Sequence, residues 1–376
     1  MTQPNALTRL NGLGQSIWLD YIDRQILEDG TLAALIKADR LAGLTSNPAI
    51  FEKAIAHGGH YADSIARLRA QSVDRETLYQ QLVLSDISQA ADAFRPVYTA
   101  SDSLDGYVSI EVSPLLARDT EATVAEARKL WKRLDRPNIM IKVPGTSEGL
   151  PAIRQLLTDG INVNVTLLFS VGRYLEVLGV YQEALEARRA AGQPLAKVAS
   201  VASFFLSRID SKVDARLDAL ISQGGERAAL ARSLRGKAAI ASAAFAYRRF
   251  RETCAQARWR TLHTAGARPQ RLLWASTSSK DPAFSDIKYV EALIAAETVN
   301  TLPWETLNAY RDHGKPELRI EQAIASASEV MHGLASLGID MKQVDEALEI
   351  EGIEKFVQPY ESLLATLEAM QRGVGV

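Results

Sequence analysis

Short apolar segments alternate with longer amphipathic segments along most of this chain. The apolar segments are typical of buried strands, and they cover eight ranges: Ser16–Tyr21, Leu41–Ser46, Gly106–Val112, Asn138–Val143, Asn162–Phe169, Lys197–Phe205, Arg271–Thr277 and Val299–Leu302. Helical spacing predicts helices between them, at Arg24–Lys37, Thr120–Leu134, Val171–Ala191 and Asp286–Ala296. This alternation predicts the α/β class, as a parallel (β/α)8 barrel of the TIM type with additional helices. A doubly wound open sheet is the alternative, although it normally has a glycine-rich ligand loop after its first strand.

Three segments exceed the needs of a minimal barrel. Residues 49–100 contain two or three predicted helices, and residues 207–270 form a long helical insertion. Residues 316–376 form a helical extension that is interrupted near Gly338. The chain has no internal repeat, low-complexity tract or linker-like segment. We therefore expect residues 1–376 to form a single barrel domain.

Polar residues occupy one face of several predicted strands. Because side chains alternate across a strand, Ser109 and Glu111 share a face opposite Val108 and Ile110. Helices cover the outside of such a barrel, so the polar face should point inward. A barrel built for stability alone would fill its interior with Val, Ile and Leu. The inward polar residues therefore describe a reactive pocket at the carboxyl ends of the strands, and they are Asp20, Asn47, Glu111, Lys142, Asn164 and Thr166, with Thr45 on the face of Asn47.

The most informative of these residues is Lys142, which interrupts an apolar strand just before Pro144 and Gly145. A lysine is rarely buried unless it is paired or used in chemistry. Desolvation favours a neutral amine, which can attack a carbonyl carbon and form a Schiff base. Taken alone, Lys142 is explained more simply as a side chain that reaches solvent from a strand end. The polar residues on the neighbouring strands favour the catalytic interpretation.

Together these residue types permit the cleavage of a carbon–carbon bond. A protonated imine on Lys142 would be an electron sink beside the bond that breaks. The reaction needs a base for the hydroxyl proton of the departing fragment, and an acid with a water for the carbinolamine. Asp20 and Glu111 are the two carboxylates available. Three further side chains can hydrogen-bond the hydroxyls of a polyol: Asn47, Asn164 and Thr166.

Composition narrows the classes of function. Of the 376 residues, 47% are hydrophobic and 23% charged, and the net charge is −2, as in an ordinary globular protein with a large core. The single cysteine, Cys254, excludes a disulfide framework and fits a reducing cytoplasm. We see no signal-peptide core and no run of about 18 apolar residues, so we expect no membrane span. The pair His57 and His60 lacks further ligands, and no nucleotide-binding glycine loop is present, so we expect neither metal nor cofactor.

Five segments resemble motifs of the transaldolase family, the Schiff-base barrel enzymes of the non-oxidative pentose phosphate pathway. They are GLTSNP at 43–48, VSIEVS at 108–113, IKVP at 141–144, GINVNVTLLF at 160–169 and WAST at 274–277. The resemblance covers about Ser16 to Tyr310, and the lysine motif with the fifth-strand motif is highly specific. The long helical insertions are similar to those of the longer bacterial branch. The resemblance implies transfer of a dihydroxyacetone unit from sedoheptulose 7-phosphate to glyceraldehyde 3-phosphate, giving erythrose 4-phosphate and fructose 6-phosphate.

The resemblance also implies roles for individual residues. Lys142 would be the Schiff-base lysine, Asp20 the acid–base group at the cleaved bond, and Glu111 an acid–base group acting through a water. Thr166 would help to position that water and the substrate. The expected substrate-binding residues are Thr45, Asn47, Asn164, Ser203, Phe205, Arg208, Ser276 and Lys280, of which Arg208 matches the phosphate-binding arginine of the family.

Two departures from the family pattern affect these expectations. Lys142 is followed by Val-Pro-Gly-Thr, where the shorter branch has an Ala-Ser or Ala-Thr run. Residues 276–280 lie where that branch has a second phosphate-binding arginine. Lys280 can supply that charge, and a solvated loop lysine explains it equally well.

Three other functions remain open from the sequence. An aldolase on the same scaffold would release free dihydroxyacetone, whereas a non-catalytic sugar-binding barrel would not need a lysine among carboxylates. A nucleic-acid or partner-binding module is suggested by Arg227–Arg271, with eleven Lys or Arg and only Glu252 as an acid. Acidic residues of Asp340–Arg372 would partly neutralise that segment. We expect phosphorylated sugars as partners, no nucleic acid or membrane, a monomer or homodimer, and a cytoplasmic location.

Overall fold

Eight parallel strands close into a barrel. The computed structural model describes residues 5–57, 59–71 and 73–372. The strands are β1 (Gln15–Asp20), β2 (Gly43–Thr45), β3 (Tyr107–Glu111), β4 (Ile139–Pro144), β5 (Val163–Leu168), β6 (Ser200–Phe205), β7 (Arg271–Ala275) and β8 (Thr298–Leu302). They pair in chain order and β8 pairs with β1. The predicted (β/α)8 barrel is confirmed, and the open doubly wound sheet is excluded.

Helices surround the barrel and extend beyond it. Over the described residues they are α1 (Ala6–Gly12), α2 (Arg24–Glu28), α3 (Thr31–Asp39), α4 (Pro48–His57), α5 (Ala62–Arg69), α6 (Arg75–Ala100), α7 (Thr120–Leu134), α8 (Gly149–Asp159), α9 (Val171–Ala190), α10 (Ser207–Gln223), α11 (Gly225–Leu234), α12 (Ala238–Cys254), α13 (Ala257–Thr264), α14 (Lys288–Ala292), α15 (Trp304–His313), α16 (Ile320–Ser336) and α17 (Met341–Arg372). Short 3₁₀ turns lie at Gly59–Tyr61 and Pro114–Leu116. The extra helices are therefore α4–α6, α10–α13 and the pair α16 and α17.

The predicted helix Arg24–Lys37 is divided into α2 and α3. The two helices meet at Gly30, whose φ of 83° lies in the left-handed region that favours glycine. The side chain of Asp23 caps α2 by accepting a hydrogen bond from the backbone amide of Ile26 at 2.9 Å. The apolar spacing continues across the break, so hydrophobic periodicity alone does not reveal it.

The predicted helix Asp286–Ala296 is also shorter than expected, because α14 ends at Ala292. The backbone carbonyl of Leu293 accepts hydrogen bonds from Gln15 Nε2 at 2.9 Å and from Trp274 Nε1 at 3.0 Å. These two side chains come from strands of the barrel. In a longer helix this carbonyl would accept a hydrogen bond from a backbone amide of the next turn. Here the two side chains donate to it instead, and the helix ends at Ala292.

The register of the strands brings the polar positions to one end of the barrel. Glu111 of β3 lies beside Lys142 of β4, and Lys142 lies beside Asn164 of β5. On the other side, Asp20 of β1 lies beside Thr45 of β2. Asp20, Thr45 and Glu111 are the last residues of their strands, and Lys142 lies two residues before the end of β4. These four are near the carboxyl ends, which is where active sites form in this fold, whereas Asn164 lies deeper in the barrel as the second residue of β5.

β5 departs from regular alternation close to its end. Its pairing with β6 shifts between Val165 and Leu168, and Leu167 has a φ of 61°. A leucine rarely adopts this left-handed conformation, so neighbouring contacts must hold it. The alternation expected along β5 therefore ends at Thr166, and the side chain of Leu167 lies against Gly352 of α17.

Candidate active site

Lys142 is carried into the barrel interior by β4. Only 4% of the residue is exposed, so the side chain does not reach solvent as a strand-end lysine would. Its Nζ donates a hydrogen bond to the backbone carbonyl oxygen of Ser46 at 3.0 Å. The same Nζ lies 3.4 Å from Glu111 Oε2, and both side chains are buried. The amine is thus held between a carbonyl oxygen and a carboxylate.

Glu111 is the buried partner of this amine. Burial raises the pKa of Glu111 to about 6, and the nearby charge of Lys142 limits that rise. A carboxyl group whose pKa lies near the working pH can accept a proton and also return it. Glu111 is therefore suited to proton exchange with the nitrogen that it contacts.

Asp20 provides a second carboxylate from the end of β1. Its Oδ1 accepts a hydrogen bond from Thr45 Oγ1 at 2.6 Å, and Thr45 Oγ1 lies 2.7 Å from Thr301 Oγ1. Burial raises the pKa of Asp20, while the charge of Lys142 and the hydrogen bond from Thr45 oppose the rise. Hydroxyl groups, not a close ion pair, position this carboxylate, so it remains available to a ligand hydroxyl.

The amide of Asn164 is used by neighbouring side chains. Its Nδ2 donates to Ser109 Oγ at 3.0 Å, and its Oδ1 accepts from Ser203 Oγ at 2.7 Å. Asn164 therefore fixes Ser203, which faces the cavity. The hydroxyl of Thr166, by contrast, is buried and has no hydrogen-bond partner among the described residues. It is available to a substrate or a water.

These side chains surround one cavity of about 80 Å³ at the carboxyl ends of the strands. Nine residues expected from the sequence line it: Asp20, Thr45, Asn47, Lys142, Thr166, Ser203, Phe205, Arg208 and Ser276. Glu111 and Asn164 do not line the cavity themselves. Each contacts a residue that does: Glu111 lies beside Lys142, and Asn164 accepts a hydrogen bond from Ser203. The other lining residues are Ala275, Thr301 and Phe356.

Sequence reasoning missed Thr301 and Phe356. Thr301 is a polar residue within the predicted strand Val299–Leu302, and that pattern is a signal by which it could have been found. Phe356 lies in α17, outside every family motif quoted above. No local pattern separates it from the other buried apolar residues of that helix.

One end of the cavity is positively charged. Nη1 of Arg208 is buried without a hydrogen-bond partner among the described residues, and burial lowers the pKa of Arg208. The cavity opens there onto a wider depression lined by Arg208, Ser276 and three lysines: Lys212, Lys280 and Lys355. Burial, and then repulsion from Arg208, lower the pKa of Lys280. A phosphate group would offer these cations the negative charge and acceptor oxygens that the surrounding side chains supply only in part.

The basic segment Arg227–Arg271 is largely neutralised. Seven of its eleven cations form ion pairs with described residues, and they are Arg235, Arg248, Arg249, Arg251, Arg258, Arg268 and Arg271. Their partners include Asp102 and Glu186, which both lie far away in the sequence. None of these partners lies in Asp340–Arg372, so that segment contributes no direct ion pair to these seven cations.

Two further features of the described residues concern the requirements of a metal site and of a membrane-spanning helix. Within residues 5–57, 59–71 and 73–372, no group of three or more His, Cys, Asp or Glu side chains converges as a metal site would. His60 is exposed, and the side chain of His57 lies outside the described part of the chain. No helix in the described ranges is long and apolar enough to cross a bilayer.

The fold and the site together define a class, that of (β/α)8 barrels with a lysine buried beside carboxylates at the end of the barrel. The sequence model described as "Transaldolase/Fructose-6-phosphate aldolase" matches residues 17–367. The chain is 47% identical over 370 residues to "Transaldolase 2" of Nostoc sp. (strain PCC 7120 / SAG 25.82 / UTEX 2576), covering 97% of each protein. It is 48% identical over 370 residues to the transaldolase of Acidothermus cellulolyticus, covering 98% of this chain and 96% of the relative. The chain belongs to the transaldolase family, in its longer bacterial branch, and its activity is the transferase activity of that family.

Proposed function

We propose that Lys142 carries the three-carbon unit of the transaldolase reaction as a Schiff base. The amine attacks C2 of sedoheptulose 7-phosphate, and one proton moves from the nitrogen to the former carbonyl oxygen, through Glu111 or a water, to give the carbinolamine. The neutral carboxyl form of Glu111 then donates a second proton to the carbinolamine hydroxyl, which leaves as water, so that a protonated imine and a Glu111 carboxylate result. The observation that supports this assignment is the 3.4 Å separation of Lys142 Nζ and Glu111 Oε2 inside a buried pocket.

Asp20 acts at the carbon–carbon bond. It removes the proton from the C4 hydroxyl, the bond between C3 and C4 breaks, and its electrons move into the imine to form an enamine on Lys142. Erythrose 4-phosphate then leaves as the aldehyde. Glyceraldehyde 3-phosphate takes its place, the enamine carbon attacks its aldehyde carbon, and Asp20 returns the proton to the new hydroxyl. Hydrolysis of the imine releases fructose 6-phosphate.

The remaining side chains bind and orient the sugars. Asn47, Ser203 and Thr166 face the cavity and can hydrogen-bond hydroxyl groups of the donor. Arg208 and Lys280 line the depression at its mouth and bind the phosphate end. This placement gives the substrate one direction, with its ketone at Lys142 and its phosphate at the mouth.

Borohydride reduction with fructose 6-phosphate tests the central assignment. The wild-type enzyme should acquire a reduced three-carbon adduct, and peptide mapping should locate it at Lys142. Lys142→Ala should acquire none. Lys129→Ala, which removes an exposed lysine of α7, should be labelled like the wild type. An adduct on any other lysine would contradict the proposal.

Aldolase activity on the same scaffold is the second candidate function, because the matched family description includes fructose-6-phosphate aldolase. The ring of Phe205 favours the transferase, since it offers neither a proton nor an activated water to the enamine. Release of dihydroxyacetone from fructose 6-phosphate without an acceptor aldehyde distinguishes the two. A transferase releases little under these conditions, whereas an aldolase releases it at the rate of its normal turnover.

The cellular setting belongs to the same proposal. A single unpaired cysteine, Cys254, and phosphorylated sugar substrates fit an enzyme of the cytoplasm. The ion-paired state of most cations in Arg227–Arg271 favours a structural role for that segment over nucleic-acid binding. We propose a single functional unit that acts as a monomer or homodimer, and sedimentation at several protein concentrations would distinguish these states.

A further inference from the structure

Phe356 lies over the reactive end of the cavity although it comes from the helical extension. Only 4% of the residue is exposed, and it is one of the residues that line the cavity. The centroid of its ring lies 5.6 Å from Lys142 Nζ and 5.7 Å from the guanidinium carbon of Arg208. Its ring also lies 6.5 Å from that of Phe205. One aromatic side chain thus spans the space between the amine and the phosphate-binding arginine.

The position of this ring is fixed by contacts one turn earlier in α17. A Cβ added at Gly352 would lie 3.1 Å from Leu167 Cδ2 and 3.2 Å from Phe169 Cε2, so the helix backbone approaches β5 closely there. The left-handed conformation of Leu167 places its side chain in this contact. An ion pair between Glu351 and Lys212 of α10 holds the helix on its other side. α17 is therefore docked as part of the pocket wall.

We propose that Phe356 is the cover that keeps water away from the three-carbon unit on Lys142, so that the unit passes to an aldehyde. This inference rests on the proposed function, because it concerns the fate of the enamine that Lys142 carries. It assigns to α17 a part in the choice between transfer to an aldehyde and release of free dihydroxyacetone. No other described residue of α17 lines the cavity that contains Lys142.

Two reactions compete for the enamine. In transfer, its carbon attacks the acceptor aldehyde and the aldehyde oxygen takes a proton to become a hydroxyl. In the competing path, that carbon takes a proton instead, and water adds to the resulting imine carbon. The carbon–nitrogen bond then breaks, the nitrogen keeps a proton, and free dihydroxyacetone and the lysine amine result. Both paths end with hydrolysis of an imine, so the step that separates them is the one at the enamine carbon. Only the competing path needs a proton donor at that carbon, and an apolar cover that keeps water from it slows that path selectively.

A ring near a cation has a second effect, because the π face attracts the charge of an amine or an imine. The two effects predict different results for Phe356→Leu. Leucine keeps most of the apolar volume and loses the ring. If exclusion of water matters, Phe356→Leu should resemble the wild type more than Phe356→Ala does.

The experiment measures one ratio in each variant: free dihydroxyacetone released from fructose 6-phosphate, divided by transfer to an added acceptor aldehyde. Phe356→Ala should raise the ratio about tenfold, which corresponds to about 1.4 kcal/mol between the two barriers. Phe356→Leu should raise it much less. The matched control is Ile350→Ala, which removes an exposed side chain from the same helix and should leave the ratio unchanged. Misfolded molecules contribute to neither product, so the ratio reports on folded enzyme.

Three results would overturn the inference. Phe356→Ala could lose transfer with no rise in the ratio, which would make Phe356 a packing residue. Phe356→Leu could match Phe356→Ala, which would assign the effect to the charge–ring contact. Ile350→Ala could raise the ratio equally, which would assign it to loss of the helix. Borohydride trapping on Lys142 is measured in the same samples, so failure of the proposed function would appear separately as an absent adduct.

Discussion

Glu111→Gln should make the protein more stable and less active at the same time. Burial raises the pKa of Glu111 from its ordinary value of 4.5 to about 6. The folded protein therefore binds this proton more tightly than the unfolded chain does. Above both pKa values the carboxylate is ionised in both states, and the rise corresponds to about 2 kcal/mol of lost unfolding free energy. The attraction to Lys142 is already included in that pKa.

The stability difference between Glu111→Gln and the wild type should depend on pH, and the raised pKa of Glu111 fixes the direction of that dependence. For the wild type, the contribution of a neutral Glu111 is present below about pH 4.5 and is lost as the pH rises through about 6. The amide that Glu111→Gln introduces does not titrate and carries no such dependence. The unfolding free energy of Glu111→Gln minus that of the wild type should therefore be small near pH 4 and should grow to about 2 kcal/mol near pH 7.5. Titrating groups that do not interact with Glu111 cancel in this difference.

Urea unfolding followed by tryptophan fluorescence measures the difference, because Trp18 and Trp274 are fully buried in the barrel. The same variant should trap the imine about 10² to 10⁴ times more slowly, as expected for loss of a general acid–base group. A variant that is less stable than the wild type at pH 7.5 would refute the reasoning. That result would mean that the ion pair with Lys142 outweighs the cost of burying the carboxylate.

Three further predictions concern the other parts of the site. Asp20→Ala should slow bond cleavage by about 10² to 10⁴ while imine trapping on Lys142 continues, because trapping depends on Glu111; equal loss of trapping in the Asp20 and Glu111 variants would show that their roles are not divided. Arg208→Ala should raise the KM for phosphorylated sugars about ten- to hundredfold, the effect of losing a charged hydrogen bond worth about 1.5–3 kcal/mol. Unphosphorylated analogues should change little, and an identical loss for both would indicate a structural role for Arg208. Phe205→Tyr should increase dihydroxyacetone release from fructose 6-phosphate without acceptor while transfer falls; loss of transfer with no gain in release would make Phe205 a packing residue.

The barrel and the centre of the site could be predicted from the sequence because both depend on short-range patterns. Alternation within a strand places Ser109 and Glu111 on one face, and the chain order of eight strands places those faces together. An apolar strand that contains Lys142 is unusual enough to mark the site. Strand register then makes Glu111 and Lys142 neighbours, as the shared polar face suggested.

The features that the sequence did not predict depend on contacts between distant segments. The division of the helix at Gly30 depends on backbone conformation, and the early end of α14 at Ala292 depends on side chains from other strands that bind the carbonyl of Leu293. The shift in β5 coincides with a contact from a distant segment, since Leu167 packs against Gly352 of α17. Phe356 enters the site from the same helix. Its role depends on where a helix docks, and one helix can dock in many ways without a change in its own apolar pattern.

The order of these elements along the chain has a consequence for synthesis. Closing the barrel pairs Gln15 of β1 with Thr298 of β8, so the first strand waits until nearly every other strand has left the ribosome. Lys142 and both carboxylates are by then already made, yet the pocket still lacks one wall. Phe356 emerges later and must fold back across the finished barrel. The residues that line the reactive end of the pocket are therefore synthesised before the helix that covers it. The pocket is complete only when α17 docks against the closed barrel.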